Sequence, residues 1–312
     1  MRPEGERRRT LVFGATGMLG QSVMALGATE PFSNLLEMEG LGSADCDLTD
    51  REAVAATVRE HAPDVIINCA AYTAVDMAED NEEAADRLNR LAPKYLANAA
   101  KEANALLIHV STDYVFDGTG HTPYRESETT APLGAYGRTK RDGEKEILAT
   151  GCDSVIVRTQ WLYSHQAKNF FLTMLRLFGQ REEINVVADQ TGSPTLAANL
   201  GRALLRIATQ FAPGRHMGGI YHFADQGECS WYDFAAGIAM LAETECRLHP
   251  IATDQYPTKA RRPHYSTLCT DKIYSTFALD DCKMGWRKAA RLCYQAWEDK
   301  QAAEAPKTDM TD

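Results

Sequence analysis

The 312-residue sequence has no apolar run approaching the ~18–20 residues that span a bilayer, which argues against a membrane-spanning helix. It has no surplus of positive charge. Thirty-three Lys and Arg against 43 Asp and Glu leave a formal net charge of −10, so the chain as a whole repels a phosphate backbone, and general nucleic-acid binding is not expected. Its eight cysteines form no C-x-x-C pair and its eight histidines show no ligand spacing. The thiols are therefore read as buried or idle side chains, and no metal site is assigned. There is no internal repeat and no linker rich enough to separate independent domains. The first residues, MRPEGERRR, pass into a strand-like TLVF without the apolar core of a signal peptide, and a soluble, cytoplasmic protein is expected. Hydrophobic residues at 44% and charged residues at 24% suit a folded chain rather than a disordered one.

What is present in the first half is an alternation of short apolar runs and helical patterns. Leu11 to Phe13, Leu35 to Met38, Val65 to Cys69, Leu106 to Val110 and Val155 to Val157 read as strands covered on both faces. Between them, Thr49-Asp50-Arg51-Glu52 reads as a capping box with Val54 and Val58 on the buried side, and residues 82–103 read as a helix. Repeated β-α-β predicts an α/β fold, a Rossmann-type doubly wound parallel sheet. Beyond residue 160 the order loosens. Helices are predicted over 169–178, 195–210 and from the Ser230-Trp231-Tyr232-Asp233 cap to 241, a strand over 184–187 and an ordered loop over 256–263. The division expected is a dinucleotide-binding domain over 8–160, a smaller and mainly substrate-binding α/β part over 161–298 with some segments returning to the first domain, and a disordered tail over 299–312.

Gly14-Ala15-Thr16-Gly17-Met18-Leu19-Gly20 directly follows a strand and opens a helix. Glycines at these places let the backbone turn tightly against a pyrophosphate, whose charge meets free N–H groups at the helix start. The G-x-x-G-x-x-G spacing points to the short-chain dehydrogenase/reductase superfamily. Glu37 or Glu39 is positioned to read a ribose hydroxyl, which would let NADH serve at least as well as NADPH; the alternative is two solvated glutamates. Asp47 and Leu48 could face an adenine, or Asp47 could be charge at a helix start. Ser111-Thr112-Asp113-Tyr114 ends the 106–110 strand, and Tyr136 and Lys140 lie four apart on one face of the next helix. An unperturbed tyrosine ionises near pH ~10, so a neighbouring ammonium is needed to hold the phenolate left when its proton departs. Thr112 can hydrogen-bond the same carbonyl oxygen. The constellation describes carbonyl reduction by NADPH or NADH.

These segments, with Asn68-Cys69-Ala70-Ala71-Tyr72-Thr73-Ala74-Val75-Asp76, Arg158 to Tyr163, Ala188 to Thr195 and Arg261-Arg262-Pro263, resemble the dTDP-4-dehydrorhamnose reductase family over about residues 10–298. The resemblance implies reduction of the 4-keto group of dTDP-4-dehydro-6-deoxy-L-mannose, giving dTDP-L-rhamnose. It implies Thr112, Tyr136 and Lys140 as the catalytic trio and Asp113, Tyr114 and Trp161 as sugar contacts. Asn169 and Arg262 join the substrate assignment, Arg262 either as a diphosphate ligand or as a surface charge. Trp161 has a bland alternative as a core aromatic and Asn169 as a helix start. Cofactor contacts are assigned to Gly14, Thr16, Gly17, Met18, Leu19, Glu37, Glu39, Asp47, Leu48, Ala70, Ala71, Tyr72, Tyr136 and Lys140. Some relatives hold magnesium through glutamates at a dimer interface. No compact carboxylate cluster supports that here, although a homodimer is compatible with the sequence. Two other readings keep much of the same pattern: a non-catalytic regulatory subunit resembling that of methionine adenosyltransferase, and an epimerase, dehydratase or reductase acting on another nucleotide-sugar.

Overall fold

The computed structural model describes residues 6–212 and 217–304. Strand β1 (Arg8–Phe13) runs through the glycine turn into α1 (Met18–Gly27), and β2 (Leu36–Leu41) returns beside it. Helix α2 (Arg51–His61) leads to β3 (Val65–Asn68), and α3 (Ala92–Ala103) to β4 (Leu106–Thr112). Helix α4 (Ala135–Thr150) then leads to β5 (Ser154–Thr159). Together with β6 (Gly219–His222) these strands form one sheet in the order β6-β5-β4-β3-β1-β2, and every pairing is parallel. The chain leaves β1 toward β2 and then crosses to β3 on the opposite side. The switch point of this doubly wound sheet therefore lies between β1 and β3, where such folds leave a crevice at the strands' carboxyl ends.

Both faces of the sheet are covered, as the unalternating apolar strands require. One face buries Val12, Val65, Ile67, Leu106 and Val155 against α1 and α6 (Ala197–Gln210). The other buries Leu11, Ile66, Leu107 and Ile156 against α2 and α3. Two segments of the 161–298 part, α6 and β6, thus pack into the first layer. A separate aromatic core made by Tyr163, Phe171, Phe234 and Trp286 joins α5 (Phe170–Phe178), α7 (Trp231–Leu241) and α8 (Trp286–Glu304).

Several local expectations are corrected. The cap of α2 is Asp50, not Thr49: its carboxylate accepts from the Glu52 and Ala53 backbone N–H groups at 2.8 and 3.2 Å, while the Thr49 hydroxyl donates to Asp47. Helix 82–103 contains a π-helical turn over Arg87–Leu91. Residues 195–196 form a short strand before α6 begins. The tail expected to be disordered from 299 instead continues α8 through Glu304, where a Gln295–Asp299 hydrogen bond of 3.1 Å and a Lys300–Glu304 pair link successive turns. Its remainder, 305–312, lies outside the described residues.

Candidate active site

A cleft of about 750 Å³ opens at the carboxyl ends of β1, β3, β4 and β5. Each wall follows from how a strand ends. After β1, the Gly14 and Ala15 N–H groups donate to the Leu41 carbonyl, and the Gly17 N–H donates back to the Gly14 carbonyl at 3.0 Å. Gly14 has φ +74°, and a Cβ there would stand 2.7 Å from the Ala70 nitrogen, so only glycine lets β1 approach β3 this closely. Gly17 begins α1 with no side-chain cap, and no acidic residue stands in the first turn. The first-turn N–H groups of α1, which no side chain caps, and the positive helix end fit a dinucleotide's pyrophosphate. Thr16, Gly17, Met18, Leu19, Asp47, Leu48, Ala70 and Ala71 all line this part of the cleft.

The facing wall carries Thr112, Asp113, Tyr114, Tyr136 and Lys140. Helix α4 lies against the Thr112–Tyr114 turn because residue 137 is glycine: a Cβ there would fall 2.2 Å from the Tyr114 carbonyl oxygen. The start of α4 is held by Glu79, which accepts the Ala135 N–H at 2.7 Å. The Tyr136 and Tyr114 rings meet edge to face at 5.5 Å. Burial pushes the Tyr136 phenol up to about 12, a hydrogen bond with Thr112 opposes this, and the Asp113 charge adds to it. The phenol is thus held as a proton donor. The Thr112 hydroxyl donates to Asp113 Oδ1 at 3.0 Å and accepts the Tyr114 N–H at 3.2 Å. Burial lifts Asp113 to about 6, against hydrogen bonds from Ser266 and Thr112. Lys140 is only 1% exposed, and its Nζ donates to the Val110 carbonyl at 2.7 Å and lies 3.2 Å from His109 Nε2. Burial lowers it to about 8, and Glu144 pulls the other way.

Not every expected residue reaches the cleft. Glu37 and Glu39 sit within β2, which ends at Leu41; they border a separate small cavity with His61, and Glu39 lies 3.2 Å from that ring. The residues that follow β2 into the cleft are Gly42 and Ser43, so the basis for reading the ribose through Glu37 or Glu39 falls away. Tyr72 is absent from the wall, its backbone N–H and carbonyl being bonded to the Asn89 amide. Asn169 caps α5 by accepting the Leu172 N–H, while its amide donates to the carbonyls of Ser164, Gln166 and Ala167. It organises a loop and does not line the cleft. Arg262 pairs with Asp76 at 2.9 Å, and that ion pair also leaves it off the cleft wall.

Trp161 does line the cleft, stacked on Trp231 at 3.7 Å with φ +46°. Gln160 and Lys168, neither of which was assigned from the sequence, stand beside it. For Gln160 the signal lay in its place immediately after β5, and for Lys168 no sequence pattern existed. Asp113 Oδ2, Thr159 Oγ1 and Gln160 Nε2 are buried without a hydrogen-bond partner, a polar wall suited to hydroxyl groups of a ligand. Among the described residues no three His, Cys, Asp or Glu side chains are placed to hold a metal ion, and no helix is long and apolar enough to cross a membrane.

A doubly wound sheet with a glycine turn at its switch point and Thr, Tyr and Lys on the opposite wall defines a dinucleotide-dependent reductase of the extended short-chain type. The chain belongs to the family described as the RmlD substrate binding domain, which matches residues 8–298. It is 40% identical over 279 residues to the dTDP-4-dehydrorhamnose reductase of Shigella flexneri, covering 86% of this chain and 92% of that one. It is also 40% identical over 306 residues to a Streptomyces antibioticus protein named "Probable dTDP-4,6-dihydroxy-2-methyloxan-3-one 4-ketoreductase", covering 96% and 98%. The crystal structure of dTDP-4-dehydrorhamnose reductase from Bacillus anthracis str. Ames in complex with NADP superposes with a TM-score of 0.86 at 32% identity, covering 93% of this chain and all of that one.

Proposed function

We propose that this protein reduces the 4-keto group of dTDP-4-dehydro-6-deoxy-L-mannose to give dTDP-L-rhamnose, with NADPH or NADH as the reductant. The observation that carries this reading is the packing of α4 on the Thr112–Tyr114 turn, which puts a buried phenol, a hydroxyl and an amine on one wall opposite the glycine turn. The dTDP-4-dehydrorhamnose reductases among its relatives support the sugar, and the NADP complex of the Bacillus anthracis protein supports the cofactor. When bound, the reduced nicotinamide supplies a hydride to the sugar carbon.

The residues of the chain do the rest. Tyr136 gives its hydroxyl proton to the oxygen as the carbonyl is reduced, leaving a phenolate. Thr112 turns its hydroxyl from Asp113 to the same oxygen and fixes its direction. Lys140 in its ammonium form stabilises the phenolate until solvent returns the proton. Trp161, Gln160 and Asp113 grip the sugar and its remote groups, so that binding energy far from the ketone orients it. This reading places the enzyme in the cytoplasm, where both nucleotides occur.

The test is incubation with dTDP-4-keto-6-deoxy-L-lyxo-hexose and either NADPH or NADH, following nicotinamide absorbance and product. Substrate-dependent oxidation with formation of a dTDP-6-deoxyhexose is expected. No oxidation with either cofactor would refute the proposal.

A further inference from the structure

Behind the catalytic wall Lys140 adjoins two buried polar groups, Asn68 and His109, that the reduction as described does not use. Asn68 closes β3, His109 lies on the adjoining β4, and Lys140 reaches them from α4; none of the three is more than 1% exposed. The Asn68 amide is oriented unambiguously, because its Oδ1 accepts the Ala70 N–H at 3.0 Å. Its Nδ2 therefore points at His109 Nδ1, 3.0 Å away, and must donate. A neutral imidazole that accepts at Nδ1 carries its single proton at Nε2. That Nε2–H faces Lys140 Nζ at 3.2 Å, and an N–H can be received only by a nitrogen with a free lone pair. The arrangement fits the amine form of Lys140, which meanwhile donates to the Val110 carbonyl. When Lys140 takes a proton, this bond becomes an N–H against an N–H.

We propose that Asn68 and His109 act as positioning residues: Asn68 fixes the tautomer of His109, and His109 thereby sets the pH at which Lys140 changes charge. The inference rests on the reading of Lys140 as the ammonium behind Tyr136. Burial holds His109 neutral, well below its ordinary range, and the Lys140 charge adds to that. The charge that acts on Lys140 is that of Glu144 on its own helix; the titratable Tyr136 and Asp113 line the same cleft, and Arg158 on β5 pairs with Glu144. Glu144 favours the ammonium, but its carboxylate is shared with the Arg158 guanidinium at 2.6 and 2.8 Å and with the Ser111 hydroxyl at 2.5 Å. His109 is thus the neighbour whose hydrogen bond discriminates directly between the two forms of Lys140. The consequence is a lysine that gives up its proton more readily than burial and Glu144 alone would allow.

Asn68→Asp separates this from a packing role. An aspartate keeps the shape and the bond from Ala70, but it accepts from Nδ1–H, turning the His109 tautomer over so that Nε2 accepts from the ammonium. His109→Phe removes both nitrogens while keeping a ring in the core. Trace competitive labelling of the intact protein with acetic anhydride, read at Lys140 by mass spectrometry across the pH range, reports ionisation without any turnover. The Lys140 midpoint is expected to rise by about 1 pH unit in His109→Phe, where only the imidazole dipole is lost, and further in Asn68→Asp, where the new carboxylate charge adds to the turned tautomer. The alkaline limb of the kcat/KM profile for reduction should move the same way. An unchanged labelling midpoint in folded His109→Phe would overturn the proposal, whatever its activity and whatever shift the charged Asn68→Asp shows. A shifted midpoint with an unmoved rate profile would uphold the Asn68–His109 control of Lys140 and refute its role in this reduction.

Discussion

Tyr136 carries the only hydroxyl on the Lys140 face of α4, and burial keeps its proton in place until the oxygen of the carbonyl, becoming an alkoxide as it is reduced, offers a better site. Tyr136→Phe retains the ring and its contact with Tyr114, so cofactor binding should persist while kcat falls by ~10²–10⁴, the usual worth of a positioned acid. Cofactor titration and initial rates on the same preparation check this; near-normal turnover in the folded variant would place the proton donor elsewhere. Glu37 and Glu39 lead to the opposite expectation. They lie inside β2 and border a separate cavity rather than the cleft, so the Glu37→Gln/Glu39→Gln double variant should keep the wild-type ratio of kcat/KM for NADH and NADPH. A ratio moved tenfold would return them to the cofactor site. The two cases show what a sequence exposes at this scale. Thr112, Tyr136 and Lys140 were legible because their chemistry depends on local spacing and on one strand end. Arg262 was not, because its partner Asp76 lies 186 residues away, and nothing in the local pattern distinguishes a free cation from a paired one.

Elements were legible where burial is continuous and obscure where it alternates. β1, β3 and β4 are apolar runs, whereas β2, at the sheet edge, buries only Leu36 and Leu41 of LEMEGL. An apolar run alone ends too early there, and that misplacement carried Glu37 and Glu39 into the cofactor assignment. The π-helical turn over 87–91 was invisible for another reason: helical periodicity says nothing of one extra residue per turn. That turn carries Asn89, fully buried, whose amide bonds the Tyr72 backbone on both sides and the Thr139 hydroxyl at 3.2 Å, tying the strand-end loop to α4. The close seat of α4 depends on Gly137 as much as on these bonds. Gly137→Ala places a methyl 2.2 Å from the Tyr114 carbonyl oxygen and 2.9 Å from the Pro132 Cβ, and neither a backbone carbonyl nor a proline ring is a flexible atom that can yield. Helix and turn must part, taking Tyr136 from Thr112. A loss of kcat well beyond the loss of cofactor affinity is expected, measured beside urea unfolding. Full activity would mean that this contact does not set the catalytic geometry.

At the scale of the whole molecule, the sheet layer and the C-terminal aromatic core are joined by a buried carboxylate. Asp225 follows β6 and accepts the Leu196 N–H at 2.9 Å and the Asn199 amide at 2.8 Å, fastening the start of α6. Burial raises it from near 3.8 to about 7, outweighing those two bonds. In the unfolded chain the same group titrates near ~3.9, so between roughly pH 4 and 7 the folded state holds a proton that the unfolded state has lost. The contribution of Asp225 is therefore fully present below about pH 4 and declines as pH rises through about 7. Asp113, lifted to about 6, acts in the same direction, whereas Asp47, Asp76 and Asp233, held below their ordinary range, contribute stability that is present above about pH 4 and lost as pH falls further. A wild-type curve alone would mix these effects, and a variant isolates the one of interest. Asp225→Asn cannot titrate; its oxygen can still accept from Leu196, and a uniform cost from the rearranged Asn199 amide would lower the whole curve without tilting it. Urea midpoints measured from about pH 4 to 8 should therefore fall less steeply with pH in Asp225→Asn than in the parent. Parallel curves would show that Asp225 titrates alike in the folded and unfolded chain, and that its burial at this junction carries no proton linkage.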